Sequence, residues 1–294
     1  MLEIVPSGQI LGATLYGVDV SQPLAQPVFD KIFQALGDYG VLRFPQQTLT
    51  GEQLVRFSQR FGHLEVNVAN SFQEPGLPEI MILSNIVENG KPVGLSDAGQ
   101  SWHTDMSYSR TIAFANVLYG IKIPRREGRT LGNTQFCNMH AAYEGLPIAI
   151  KKQLEGKTIL HDFNKFWDMM RREKGSQRPA LTEAQRLAKP PVSHPAVLIH
   201  PLTGKKVLYA NPGYCMRINE MPEQESQQLL DFLFEHQTQP CYLYSHTWEE
   251  SDLMLWEDIG TIHNAVADYR SDEPRLIKRC QVMANTFGQS FAQP

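Results

Sequence analysis

The sequence predicts a mainly β protein with flanking helices, arranged as a β-sandwich or jelly roll. Three observations lead there. Short apolar runs of strand length, bounded by glycine and proline, recur along the chain. Only a few helical periods are inserted among them. No internal repeat, low-complexity tract or linker divides the 294 residues, so one domain, 1–294, is expected.

Short strands open the chain, with turns at Ser7-Gly8 and Gly12. Residues 24–39 then carry Phe29, Ile32, Phe33 and Leu36 at helical spacing, and Gly37 and Gly40 end that helix. Val41 to Phe44 is a strand closed by Pro45. Thr50 and Gln53 form a capping box for a helix bearing Leu54, Phe57 and Phe61. Ile80 to Leu83 is a buried strand, and a polar, glycine-rich loop over 88–100 leads into Ser101-Trp102-His103-Thr104-Asp105. Residues 112–123 make a long strand ending at Pro124. A turn and strand over 131–136 and two short helices, 141–146 and 147–154, come next. Residues 161–191 are rich in charge, with Phe166, Trp167, Met169 and Met170 among them, and are expected to leave the core as an excursion or lid. Strands resume at 197–199 and 207–209. Pro222 opens a helix burying Leu229, Leu230, Leu233 and Phe234, and strands at 241–245, 253–256 and 281–287 close the chain.

Composition narrows the functional classes. Apolar residues at 42% and charged residues at 20% are ordinary for a globular protein, and a net charge of −4 argues against a nucleic-acid surface. Cys137, Cys215, Cys241 and Cys280 are widely spread with no Cys-x-x-Cys, so neither a zinc ribbon nor a dithiol site is expected. The first residues lack a basic start and an apolar run, and 112–123 is too short and too polar to span a bilayer. A cytoplasmic protein that binds neither membrane nor nucleic acid is the expectation.

His103 and Asp105 lie two residues apart. In an extended strand they would share a face and offer two corners of a metal site. Such a pair with an open coordination face is the pattern of non-haem iron(II) oxygenases. By themselves the residues equally fit a strand-end histidine beside a solvated aspartate. His63 and Glu65 repeat the spacing and are a rival pair. His194 and His200 precede prolines and read as turn residues, and His246 ends a polar strand. His263 follows the apolar run 253–258 and a turn at Gly260, a position from which a core strand could deliver an imidazole. Arg275 and Arg279, four residues apart, would share a strand face and present two planar forks suited to carboxylates, or could simply be surface ion-pair partners.

The order of motifs carries more than any one of them. Trp102-His103-Thr104-Asp105 precedes Gly132-Asn133-Thr134, then Ala141-Ala142-Tyr143-Glu144-Gly145-Leu146, then Leu255-Trp256-Glu257-Asp258-x4-His263-Asn264-Ala265-x2-Asp268-Tyr269, then the two arginines. With Gly12, Gly17-Val18-Asp19 and Arg43-Phe44-Pro45, this order resembles the taurine/2,4-dichlorophenoxyacetate dioxygenase family over nearly the whole chain. The resemblance implies a double-stranded β-helix (a cupin-like jelly roll), iron(II), O2 and 2-oxoglutarate as cosubstrate. His103, Asp105 and His263 match the metal-binding triad, through whose iron catalysis would run. Arg275 and Thr134 match the residues that hold the far carboxylate of 2-oxoglutarate. Arg279 matches a second arginine that reaches the cosubstrate's near carboxylate or an anionic group of the substrate. The reaction implied is hydroxylation or desaturation of a small, anionic organic metabolite with release of succinate and CO2; a homo-oligomer is allowed by the analogy.

Three departures stand out. Asp258 replaces the family's asparagine and Ile259 the arginine after it. The His263-to-Arg275 interval is one residue longer than in the taurine-oxidising enzyme. Asn67 falls where that enzyme has a substrate-binding histidine, which argues against taurine and makes Asn67 a candidate substrate contact. The alternative is a catalytically silent metal- or ligand-binding protein on the same fold, separable by its indifference to O2 and 2-oxoglutarate.

Overall fold

The computed structural model describes residues 1–66, 72–173, 176 and 180–287. Asn67 and residues 174–175 and 177–179 of the expected excursion lie outside the described residues. An eight-stranded sheet forms the frame. Its strands run in the order Glu3–Pro6, Ala13–Tyr16, Val41–Phe44, Leu253–Glu257, Ala113–Lys122, Leu276–Met283, Leu77–Ser84 and Gln73–Glu74. All neighbours are antiparallel except Ala13–Tyr16 against Val41–Phe44. A smaller sheet, ordered Leu243–His246, Thr134–Asn138, Thr261–Ala265, is the second wall of the jelly roll. Two sheets with flanking helices are what the sequence predicts.

Side-chain alternation divides the core into two layers. Leu253 and Leu255 face the helices Gln26–Tyr39 and Gly51–Gln59, packing with Phe29, Ile32, Leu36, Leu54 and Phe57. Met254 and Trp256, the alternate residues of the same strand, face inward against Phe136 of the small sheet and Trp248. The last long strand does likewise, with Cys280 and Val282 outward and Ile277 inward. The inward parity therefore includes Arg279 and Gln281 on that strand, and Asn116 beside the inward Leu118. Polar residues in otherwise apolar strands thus become a polar floor inside the roll.

The capping box is present as the sequence predicts: Gln53 N–H donates to Thr50 Oγ1 at 3.3 Å and Thr50 N–H to Gln53 Oε1 at 2.7 Å. The helix opened by Pro222 spans Glu223–Gln237. The excursion is built from the strand Thr158–His161, the helices Phe163–Glu173 and Glu183–Ala188, and the strand Val192–Pro195. Phe166 and Met170 are buried against Tyr214, so these side chains do pack the segment down, and Ser176 Oγ donates to Asp97 Oδ2 in the loop before His103. His194 and His200, read from sequence as turn residues, are both buried, because each ring is enclosed by neighbours its own turn could not supply. The rival His63 is exposed.

Phe61 is 2% exposed and its ring meets those of Phe29, Phe57 and Phe33 at 5.0, 5.3 and 6.2 Å. Phe61→Ala should cost about 3–5 kcal/mol, read as a lowered urea midpoint with unchanged slope.

Candidate metal centre and cosubstrate pocket

His103 and His263 meet across a β-bridge. His103 N–H donates to the His263 carbonyl at 3.0 Å, and His263 N–H returns a bond to the His103 carbonyl at 2.8 Å. The bridge adds His103 to the open edge of the small sheet, and the rings lie 4.3 Å apart between centroids. Asp105 is not on a strand. The chain turns after His103, with Met106 in the left-handed region at φ 55°, and the turn brings the carboxylate back to the imidazoles. The strand alternation expected from His-x-Asp is therefore replaced by a turn that achieves the same convergence. His103 Nε2 stands 3.7 Å from Asp105 Oδ1, and His263 Nε2 4.0 Å from Oδ2. All three residues are buried.

Neighbouring groups aim these atoms. His103 Nδ1 lies 2.8 Å from the Ser101 carbonyl, which places its proton there and leaves Nε2 a lone pair. Behind His263, Asp258 Oδ1 is 3.8 Å from Nδ1 and accepts from Trp256 Nε1 at 3.2 Å. Asn116 Nδ2 donates both to Asp105 Oδ2 at 3.0 Å and to Asp258 Oδ2 at 2.7 Å. Arg279 Nη1 donates to Asp105 Oδ2 at 2.9 Å, and its Nη2 rests on Met81 Sδ. Burial by itself would raise the Asp105 pKa, but Arg279 and the two imidazoles outweigh it and hold the carboxyl below its ordinary range. Burial pushes both imidazoles down, so they stay neutral. Asp258 is pushed well up, by burial and then by the Asp105 charge. Ionised carboxylate and neutral imidazoles are the protonation states that ligate a metal.

Arg275 is 6% exposed, and its Nε has no hydrogen-bond partner. The guanidinium carbon lies 5.9 Å from the Tyr269 ring centroid, and among the described residues no carboxylate pairs with it. Its loop is pinned. Asn85 receives the Arg275 N–H and donates to the Arg270 and Glu273 carbonyls, and Arg126 grips Glu273 with two bonds of 2.7 Å. Tyr269 also packs on Gly132, where a Cβ would come within 3.3 Å of the ring. That contact brings the strand start carrying Thr134 towards the arginine. Thr134 Oγ1 is buried and accepts from Trp248 Nε1 at 3.0 Å. A buried cation without an anion is costly, so this arrangement calls for one.

Over His103 lies an aromatic wall. Phe166 and Tyr214 are 5.3 and 6.2 Å from its ring, and Tyr108 packs tilted against Tyr214 at 4.8 Å. The structure therefore groups His103, Asp105, His263 and Arg279, and sets Arg275 near Tyr269; it says nothing of Asn67. Asp258, singled out in the sequence as a departure from the family, stands behind His263, while Asn116 and Gln281 are participants the sequence reading does not name. Their signal was polarity at inward positions of apolar strands.

Comparison with known proteins identifies the family. The family model described as taurine catabolism dioxygenase TauD, TfdA family matches residues 3–281. The chain belongs to the TauD/TfdA family. It is 30% identical to pentalenolactone F synthase of Streptomyces arenae, with 89% of each chain covered. It is 33% identical to the alpha-ketoglutarate-dependent 2,4-dichlorophenoxyacetate dioxygenase of Burkholderia sp. (strain RASC), over 76% of this chain and 75% of that one. The solved structure of AAD-2 in complex with Mn(II) and N-oxalylglycine superposes with a TM-score of 0.82 at 26% identity, covering 100% of both chains. As a TauD/TfdA member on the double-stranded β-helix, the protein is a 2-oxoglutarate-dependent dioxygenase. Among the described residues no helix is long and apolar enough to cross a membrane.

The buried neutral histidines make stability depend on pH. His103, His161, His246 and His263 all have pKa values lowered by burial from 6.5. The unfolded chain takes up protons below about 6.5 while the fold does not, so acidification favours unfolding. Each histidine should remove about 1.4 kcal/mol per pH unit below that point until its folded pKa is reached. Asp258, raised in the fold, works in the opposite sense with one proton against five, since burial lowers His140 as well. Denaturant midpoints of the metal-free protein should fall between about pH 7 and 5.5; a level midpoint would contradict the assignment.

Proposed function

We propose that the protein oxidises a small organic acid with an apolar body, using iron(II) held by His103, Asp105 and His263 and 2-oxoglutarate held by Arg275 and Thr134. One observation carries the reading. A three-atom ligand set in metal-binding protonation states shares a roll with a buried guanidinium that, among the described residues, has no carboxylate partner. The donor set, two imidazoles and a carboxylate on one side, fits iron(II) and leaves positions for cosubstrate and O2. Iron so bound, with O2 and 2-oxoglutarate, supplies the oxidising power that breaks a substrate C–H bond as the cosubstrate leaves as succinate and CO2.

The chain's own residues bind and orient. Arg275 offers a planar fork to the remote carboxylate of the cosubstrate, and the Thr134 hydroxyl, already accepting from Trp248, has its proton left to donate to the same group. Arg279 keeps Asp105 ionised from beside the triad; from there it can meet an anionic group of substrate or cosubstrate. Phe166, Tyr108 and Tyr214 present an apolar wall beside His103 and exclude water from that side. Helix Phe163–Glu173, which carries Phe166, serves as the cover over the substrate. Hydroxylation and desaturation use the same arrangement of residues.

Anaerobic addition of iron(II) and then 2-oxoglutarate should produce the visible charge-transfer band of the chelate, and His263→Ala should abolish it. Well-folded wild-type protein without a band would remove the proposal. Arg275→Gln should weaken 2-oxoglutarate binding by roughly 10–100-fold, the loss of one charge-assisted pair, with iron affinity little changed. Asn116→Ala should instead weaken iron itself, by about 10–100-fold, because it frees Asp105 and Asp258 from their shared donor.

A further inference from the structure

A second group of metal-type donors lies outside the iron triad. His140, His200 and Glu257 each place one ligating atom within 4.8 Å of the others. They come from three elements: His140 from helix Met139–Glu144, His200 just past strand Val197–Ile199, and Glu257 from the end of strand Leu253–Glu257. The His140 and His200 ring centroids are 5.1 Å apart. His200 and Glu257 are buried, and His140 is half-buried, which leaves an approach from solvent.

Hydrogen bonds orient two of the donors towards one space. His140 Nδ1 lies 3.1 Å from the Lys206 carbonyl, so its proton belongs there and Nε2 keeps the lone pair. A Cβ at Gly260 would stand 2.8 Å from that Nε2 and 2.5 Å from Glu257 Oε1. The volume above Gly260 is thus bordered by an imidazole lone pair and a carboxylate oxygen, and the missing side chain keeps it open. The other oxygen, Oε2, accepts from Ile259 N–H at 2.9 Å, Gly260 N–H at 2.7 Å and His200 Nε2 at 3.0 Å. No lysine or arginine is paired with this buried carboxylate among the described residues, so its negative charge lacks a fixed cationic partner.

We propose that His140, His200 and Glu257 bind one divalent transition cation of the zinc type, independently of the iron triad. Two imidazoles and one carboxylate are zinc donors, with a fourth position open on the exposed His140 side. Burial would push Glu257 up, but His200, the backbone N–H donors and His140 outweigh it and hold it ionised, and burial keeps His140 neutral. His200 must move its proton from Nε2 to Nδ1, giving up its 3.0 Å bond to Glu257 Oε2 and a long 3.3 Å bond from Leu202 N–H. That cost is two hydrogen bonds, one of them charge-assisted, against three new ligand bonds. The cation would fix the turn 257–260, which carries Asp258 and leads to His263.

The test uses the full chain with the first site disabled by His263→Ala and titrates cobalt(II), whose visible ligand-field absorption reports imidazole and carboxylate ligation. One equivalent should bind, and adding His140→Ala should weaken that binding by more than about 100-fold. His140 is partly exposed, so circular dichroism should show both variants folded. Absence of cobalt binding in His263→Ala, or binding unaltered by His140→Ala, would overturn the site. Neither result bears on iron binding by the wild-type triad.

Discussion

Asn116 donates one amide group to two carboxylates, Asp105 at 3.0 Å and Asp258 at 2.7 Å, deep inside the roll. Most of the site's geometry depends on that clasp. Asp105 is a carboxylate in the turn after His103, with no strand to hold it. Asp258 is the group standing behind the His263 ring. Fastening both to strand Ala113–Lys122 ties a loop ligand and a strand ligand to the interior of the main sheet. Gln281 Nε2, 3.4 Å from Asn116 Oδ1, extends the network to the neighbouring strand. A buried polar network of this kind fixes orientation when its members are satisfied.

Charge in this interior falls in two compartments, one balanced and one, among the described residues, short of an anion. Around Asp105 one ionised carboxylate is met by Arg279 and two neutral imidazoles, and the nearby Asp258 is pushed towards its neutral form. Around Arg275 the deficit is an anion, since Tyr269 offers only a ring and a phenol. In the proposed function, the remote carboxylate of a dianionic cosubstrate would supply that anion. The two arginines, four residues apart, serve different compartments because Arg275 precedes the last long strand and Arg279 lies within it, on its inward face.

The sequence by itself determined the elements and the parts list. Helical periods, capping residues and apolar runs have local causes, so the helices Gln26–Tyr39, Gly51–Gln59 and Glu223–Gln237 and the strands Val41–Phe44, Ala113–Lys122 and Leu253–Glu257 could be read in advance. The ordered motifs were legible for the same reason: each is a short local pattern. What only the tertiary structure decided is who meets whom. His103 pairs with His263 across 160 residues through a β-bridge, and Asp105 arrives by a turn where the sequence suggested a strand. Asn116 shows its role only once strand alternation places it inside, and His200 reads as a turn residue until Glu257 closes on it. Periodicity is a property of neighbours along the chain. Ligand sets and shared donors are properties of neighbours in space, and the packing of two sheets brings those together.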